Sequence, residues 1–218
     1  MERIVLFHGS EKIIKEPTFG KKNNNADYGD AFYCTADIYA AFEWATRRNG
    51  GGYANKYQFD ARGLKILDLT KYNVLSWVAI LLHNREIDPS FKEDYKKELD
   101  YLEKNYYIDV NQYDVVIGYR ADDSFFVFPL MLVSSQIRII KLEEIYNLGF
   151  LGKQIAIISE RAFKRLKYIE SIEAAPIYKD KYSKRIHDAK IRFKEISNEE
   201  RWQEGDRLID LIRRDDKR

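Results

Sequence analysis

The sequence is poor in cysteine, and this scarcity excludes two classes of small scaffold. Cys34 is the only cysteine among 218 residues. A single cysteine rules out an internal disulfide framework and a structural zinc site built on several cysteines. It fits a chain that folds in a reducing compartment.

Long apolar runs are also lacking. The longest such stretch, residues 74–82, is interrupted by Ser76 and has about half the length that a membrane-spanning helix needs. The first ten residues, MERIVLFHGS, lead straight into an apolar strand and carry no secretory signal pattern. We therefore expect a soluble, cytoplasmic protein that does not bind a membrane.

Neither sign of charge dominates the chain. It has 37 Lys and Arg against 35 Asp and Glu, a net charge of +2, which is too even to indicate general nucleic-acid binding. A local basic excess at residues 179–195 is typical of a solvated helix face, and the alternative is a surface that faces phosphates. His83 and His187 have no neighbouring metal-ligand residues, so no metal site is predicted.

Hydrophobic residues make up 45% of the chain and aromatic residues 14%, a composition typical of globular proteins. Short strands are predicted at residues 3–7, 31–35, 137–140 and 155–159. Helices such as 36–48 lie between them without regular alternation. This pattern favours the α+β class over a parallel, doubly wound sheet.

The character of the sequence changes after Pro176, where charged residues become dominant. We predict one domain over residues 1–176 and a charged helical extension over residues 177–218. The extension packs back on the domain or meets a partner; the sequence does not decide between the two.

Three features stand in order near the start of the chain. His8-Gly9-Ser10 ends the first predicted strand, and the stretch DYGDAFYCT at 27–35 carries Tyr33 on the next one. Trp44 follows Tyr33 by eleven residues, on the predicted helix behind that strand. Taken singly, the histidine is typical of a strand end, and the two aromatic residues are typical of a core.

Together these stretches resemble the ADP-ribosyltransferase superfamily, in particular its diphtheria-toxin and poly(ADP-ribose) polymerase branch with a His-Tyr-Glu signature. The resemblance implies a split β-sheet core and NAD+ as co-substrate. It implies that His8 binds the adenosine-side ribose, and that the Gly9 backbone and Ser10 bind the carboxamide. It also implies that Tyr33 and Trp44 enclose the nicotinamide ring, since flat aromatic faces stack on such rings.

The third signature residue of that branch is a glutamate that begins a late strand. The position implied here is Gln154, because it directly precedes the predicted strand at 155–159. A glutamine can hold a ribose hydroxyl, but its amide offers no negative charge to an oxocarbenium-like centre. Glu160 is the lower-ranked alternative, because it lies beyond the far end of that strand.

A fourth stretch, GYRADDSFF at 118–126, places an arginine and two carboxylates between apolar segments. One interpretation is a helix N-cap at Asp122 or Asp123 with Arg120 paired to one of them. The other makes these three residues acceptor-binding or cleft residues, with an aspartate supplying the charge that Gln154 lacks. The stretch resembles an uncharacterised bacterial branch of the same superfamily, so the resemblance covers about residues 1–175.

The leading hypothesis from these residues is a mono-ADP-ribosyltransferase that cleaves NAD+ and modifies a macromolecule, either a protein or a nucleic acid, as a bacterial or phage toxin would. An antitoxin or partner protein would then meet the C-terminal helices. The second hypothesis is a catalytically weak or inactive module that binds NAD+ or ADP-ribose, because Gln154 replaces the usual glutamate. A third is an interaction protein that binds no NAD+ at all.

Overall fold

A computed structural model of the chain describes residues 3–20, 26–121, 125–148, 152–199 and 203–217. Within these ranges the chain forms seven strands and nine α-helices. The strands are β1 Arg3–Ser10, β2 Phe32–Cys34, β3 Tyr53–Asp60, β4 Ile66–Asp68, β5 Val115–Tyr119, β6 Lys153–Ile157 and β7 Leu166–Glu173. The helices are α1 Ile38–Thr46, α2 Val74–Asn84, α3 Pro89–Asp94, α4 Lys96–Tyr106, α5 Val127–Val133, α6 Leu142–Leu148, α7 Glu160–Phe163, α8 Ile177–Ile196 and α9 Leu208–Asp215.

The strands form two small sheets. One has the order β1-β3-β7 and is antiparallel throughout. The other has the order β2-β6-β5-β4, in which β4 and β5 are parallel and the other two pairs are antiparallel. Mainly antiparallel sheets with helices packed around them confirm the α+β prediction.

The two sheets meet where β1 passes the end of β2. The Phe7 amide donates to the Thr35 carbonyl at 2.8 Å, and the Thr35 amide donates back to the Phe7 carbonyl at 2.9 Å. In an antiparallel ladder the peptide groups of residues i and i+2 point to the same side. The peptide groups of Gly9 therefore face the same side as those of Phe7, toward β2 and away from β3.

Helix α1 lies against β1 because of one glycine. The helix begins after Asp37, whose carboxylate accepts the Tyr39 amide at 2.9 Å as an N-cap. It buries Ala41 and Ala45, one turn apart, on the face toward β1. A Cβ on Gly9 would lie 2.2 Å from the Ala41 carbonyl oxygen and 3.0 Å from the Ala45 nitrogen. Glycine is thus what permits the helix to approach the strand this closely.

A buried aromatic pair anchors the loop before β2 in the main core. The fully buried Trp77 of α2 donates its indole N–H to the Tyr28 hydroxyl at 2.9 Å, and that hydroxyl donates to the Tyr119 carbonyl at 2.7 Å. A Cβ on Gly118 would lie 2.1 Å from the same hydroxyl. The absence of a side chain at Gly118 therefore makes room for Tyr28 beside β5.

The strand predicted at 137–140 is wrong: a 3-10 helix, Ile139–Lys141, lies there instead. The Ile139 amide donates to the Asp206 carbonyl at 2.9 Å, so this backbone pairs with the C-terminal segment and not with a sheet. Ile137 is buried while Ile140 is 59% exposed. An apolar run alone did not distinguish this geometry from a strand.

The described part of the C-terminal extension packs back on the domain. Arg185 of α8 forms an ion pair with Glu43 of α1. Lys179 Nζ donates to the Arg48 carbonyl, two residues beyond the end of α1, at 3.1 Å. Helix α9 lies along α4, where the Tyr101 hydroxyl donates to the Asp215 carboxylate at 2.6 Å. Helix α8 therefore supports α1 from outside, and α1 carries Trp44.

Candidate functional site

A cleft opens at the junction of the two sheets. It encloses about 820 Å³ of space, part of which is open solvent. The end of β1, the loop before β2, helix α1 and the adjoining ends of β5 and β6 form its walls. Six residues singled out in the sequence line it: His8, Gly9, Tyr33, Trp44, Arg120 and Gln154.

His8, on β1, is held by the strands on both sides of it, β2 and β3. Its Nδ1 lies 2.7 Å from the Tyr33 carbonyl oxygen, and its ring stacks on Phe32 with centroids 4.5 Å apart. A carbonyl oxygen only accepts hydrogen bonds, so Nδ1 carries the hydrogen and the neutral ring has its lone pair on Nε2. The buried Asn55 fixes the backbone here, because its amide donates to the His8 and Lys12 carbonyls at 3.2 Å each.

The structure does not bring Ser10 into the cleft with its neighbours. The Ser10 hydroxyl accepts the Lys12 amide at 3.1 Å and so stabilises the turn that follows β1. Gly9, in contrast, is buried, lines the cleft and presents backbone to it. Two residues predicted to act together on one carboxamide thus have different surroundings.

Tyr33 contributes its ring to the cleft and uses its hydroxyl elsewhere. The hydroxyl donates to the Gly29 carbonyl at 2.7 Å and accepts the Tyr28 amide at 3.0 Å, so it closes the loop before β2. Burial raises the pKa of Tyr33 well above its usual value, and the hydroxyl stays protonated at neutral pH. Tyr33 therefore acts here as an aromatic surface and a loop brace, not as an acid or base.

Trp44 lies between two cations. The guanidinium carbon of Arg47 is 3.4 Å from the ring centroid, and that of Arg120 is 4.3 Å from it. Two guanidinium groups this close to one centroid would collide if they shared a face, so they cover opposite faces of the indole. A ligand ring that stacks on Trp44 must take the place of one of them.

Gln154 lies at the start of β6, as the sequence predicted, paired in register with Gly118 of β5. Its amide nitrogen donates to the Asp27 carboxylate and to the Tyr119 carbonyl at 3.4 Å. Glu160, the alternative position, is exposed at the start of α7 and pairs with Lys164 at 2.7 Å, away from the cleft lining.

Asp27 and Arg85 are cleft residues that sequence reasoning missed. Arg85 donates to Asp27 through Nε at 2.9 Å, and its Nη2 lies 2.8 Å from the same carboxylate oxygen as an ion pair. Nη2 also donates to the Ala121 carbonyl at 2.6 Å. The Ala121 amide in turn donates to Asp27 at 3.1 Å. Asp27 is 5% exposed and Arg85 9%. Asp27 begins the DYGDAFYCT stretch, a signal that was available; nothing in the sequence pointed to Arg85.

Burial raises the pKa of Asp27 above its usual value, while the Arg85 charge, the Ala121 amide and the Gln154 amide act in the opposite direction. All of these partners are hydrogen-bond donors, the arrangement that an ionised carboxylate requires. A carboxylate is therefore held in the wall of the cleft.

The described cleft residues carry more positive than negative charge. Arg85, Arg120 and Lys153 face one carboxylate, Asp27. This excess of positive charge among the described lining residues favours anionic ligands. Asp122 and Asp123, which were predicted beside Arg120, lie outside the described residues.

Two kinds of feature are absent from the described ranges. In the part of the chain that the structure describes, no group of three or more His, Cys, Asp or Glu side chains could hold a metal ion. None of the described helices has the length and apolar character needed to cross a bilayer.

Comparison with known proteins yields a family and no characterised relative. No curated protein and no solved structure matches the sequence. A family model described as "Protein of unknown function (DUF3990)" matches residues 4–168, which include every described residue of the cleft. The chain therefore belongs to the DUF3990 family.

Proposed function

We propose that the protein is a mono-ADP-ribosyltransferase that cleaves NAD+ and transfers ADP-ribose to a macromolecule. One observation carries the proposal: residues predicted from separate stretches of sequence, His8, Tyr33, Trp44 and Gln154, line one cleft. The two small sheets that meet at this cleft are in keeping with the split-sheet core that the resemblance implies.

The surroundings of the cleft suit the parts of NAD+. Its pyrophosphate is anionic, and Arg120 and Lys153 supply positive charge. His8 would accept a ribose hydroxyl at Nε2, since Nδ1 is turned to the Tyr33 carbonyl. Gly9 would bind the carboxamide through backbone groups that face away from β3. These assignments follow the resemblance, and the charges and hydrogen bonds support them.

The nicotinamide ring of NAD+ carries a positive charge, as a guanidinium does. Cations of both kinds are attracted to the face of an indole. We propose that the bound nicotinamide lies between Tyr33 and Trp44 and replaces Arg120 or Arg47 on one face of Trp44. The guanidinium that leaves is then available to the pyrophosphate.

The reaction breaks the bond between C1′ of ribose and the nicotinamide ring nitrogen. The electron pair goes to the nitrogen and neutralises the pyridinium, which leaves an oxocarbenium-like ribose. A nucleophile of the acceptor then forms a bond to C1′ and releases a proton. If water is the acceptor, the products are ADP-ribose, nicotinamide and a proton. Gln154 would hold the ribose 2′-hydroxyl during the first step.

The nature of the acceptor and the toxin role are proposed from the resemblance to the superfamily. A protein or a nucleic acid would receive one ADP-ribose unit, because a glutamine at position 154 argues against chain elongation. A toxin that is paired with an antitoxin is in keeping with that resemblance. The exposed surfaces of α8 and α9 are where a partner protein would bind.

A second candidate function is a module that binds NAD+ or ADP-ribose without turnover. The neutral amide of Gln154 at the third signature position favours it. Such a module would bind NAD+ in a calorimeter and release no nicotinamide. A protein that binds no NAD+ would instead fit the interaction class.

The experiment is nicotinamide release from NAD+ by the purified protein, with and without cell lysate. We expect release that His8→Ala lowers by about tenfold or more, the effect of losing one hydrogen bond to a bound ligand. His187→Ala, an exposed histidine on α8, is the matched control and should keep the wild-type rate. Release that needs lysate would support a macromolecular acceptor. No release under either condition contradicts the enzyme proposal.

A further inference from the structure

A buried carboxylate, Asp27, lies one hydrogen bond from the amide of Gln154. Three groups donate hydrogen bonds to it: the Gln154 amide nitrogen, the Ala121 amide at 3.1 Å and Arg85 Nε at 2.9 Å. Arg85 Nη2 adds an ion-pair contact at 2.8 Å. It lines the cleft although only 5% of the residue is exposed. The sequence analysis had considered Asp122 or Asp123, and not Asp27, as the source of the charge that Gln154 lacks.

These contacts decide which way the Gln154 amide is turned. Its two partners, the Asp27 carboxylate and the Tyr119 carbonyl, are both acceptors. The nitrogen must therefore face them, and the carbonyl oxygen lies on the opposite edge of the amide plane. A glutamine so turned offers an acceptor, and not a donor, to a ribose hydroxyl.

The same hydrogen bond brings the negative charge of Asp27 into contact with the Gln154 amide. A carboxylate that accepts from an amide N–H polarises it, so that the amide carbonyl oxygen becomes a stronger acceptor. Arg85 balances the charge of Asp27 but lies on a different part of the carboxylate from the Gln154 contact: Arg85 binds Oδ1, and Gln154 binds Oδ2. The Gln154 amide is thus in direct contact with the carboxylate oxygen that Arg85 does not bind.

We propose that Asp27 is a positioning residue that orients Gln154 and supplies, through it, the negative charge that a glutamine lacks. This inference rests on the proposed function, since it concerns the NAD+-cleaving step. Gln154 and Asp27, 127 positions apart in the chain, would together perform the role of a single glutamate. In this proposal Asp27 takes the role that the sequence analysis considered for Asp122 or Asp123.

The test moves the carboxylate from one residue to the other. Nicotinamide release is measured for the wild type, Asp27→Asn, Gln154→Glu and the double variant, with kcat and KM separated and NAD+ binding measured by calorimetry. We expect Asp27→Asn to lower kcat by about a hundredfold, as loss of a preorganised electrostatic contact does, with a much smaller change in KM. The double variant, which carries its carboxylate at position 154 and an amide at position 27, should recover at least about tenfold of that loss.

The Gln154→Glu single variant covers the case in which Asp27→Asn fails to fold. It places two carboxylates in contact, and like charges at this distance cannot both be ionised. We expect its kcat at neutral pH to fall below that of the wild type. If Asp27 had no part in the reaction, a glutamate at 154 would instead raise kcat.

The outcomes separate this inference from the proposed function. A wild type that releases no nicotinamide overturns both. An active wild type overturns this inference alone if Asp27→Asn keeps its kcat, if the double variant shows no recovery, or if Gln154→Glu is faster than the wild type. If Asp27 has only a structural role, Asp27→Asn will lower the stability of the protein. The double variant will then not recover kcat.

Discussion

Replacing Gly9 with alanine tests the packing that holds α1, and with it Trp44, at the cleft. The new Cβ would lie 2.2 Å from the Ala41 carbonyl oxygen, where ordinary contact begins at 3.4 Å, so the two must separate by 3.4 − 2.2, or about 1.2 Å. A second contact, with the Ala45 nitrogen at 3.0 Å, is also too short. Both atoms are backbone, and no side chain can rotate away to relieve them.

The helix as a whole must therefore move away from β1. Forcing a methyl group into a packed interior costs typically 1–3 kcal/mol of unfolding free energy, and we expect about 3 kcal/mol because the obstacle is a helix backbone. The shift also displaces Trp44, so NAD+ binding should weaken in the same variant.

The measurement is urea unfolding followed by tryptophan fluorescence, with the denaturant slope checked for constancy. Gly51→Ala is the matched control, because a Cβ at Gly51 meets nothing within 4 Å and its backbone is not left-handed. It should change the unfolding free energy by less than about 0.5 kcal/mol. If Gly9→Ala changes the unfolding free energy as little as this control does, the reasoning is refuted. Helix α1 would then not pack against β1 at Gly9.

Three other predictions address the framework of the site. Arg161 is the chief reason that the pKa of the buried Asp114 is below its usual value, so the unfolded chain takes up this proton first as pH falls. Asp114→Asn should therefore lower the unfolding free energy by about 1–3 kcal/mol at pH 7, a difference that shrinks below about pH 4, measured by urea titration at several pH values. Tyr33→Phe keeps the ring but loses two hydrogen bonds to the loop, and should lose about 1–3 kcal/mol of stability while KM for NAD+ changes little. Arg85→Met leaves Asp27 buried without its cation and should lose about 3–5 kcal/mol, seen as a lower thermal midpoint.

Each of these has a result that would contradict it. A difference for Asp114→Asn that persists unchanged at pH 3 would mean that the ion pair is not its cause. A large rise in KM for Tyr33→Phe would give its hydroxyl a direct part in NAD+ binding. If Arg85→Met unfolds at the wild-type temperature, Asp27 is not the buried partner that the structure describes.

Sequence patterns predicted the local features of the site well. The helix expected at residues 36–48 is α1, Ile38–Thr46, because its N-cap at Asp37 and its apolar spacing are both local signals. The start of β6 near Gln154 was also predicted, since it depends on a short apolar run. The first strand, predicted to end at Phe7, continues to Ser10 because residues 8–10 stay paired with β3. The run at 137–140 shows the limit of this reasoning, because its conformation depends on a contact with Asp206.

The sequence by itself determined the α+β class, the charged C-terminal extension and the order of the cleft residues, because hydrophobic spacing and capping act over a few neighbouring residues. Only the tertiary structure decided that Arg85 meets Asp27 across 58 positions, and that Asp27 meets Gln154 across 127. It also decided that Arg120 covers a face of Trp44. Such contacts are set by how the two sheets close on each other, a geometry that depends on the whole core and leaves no pattern in any single stretch of chain.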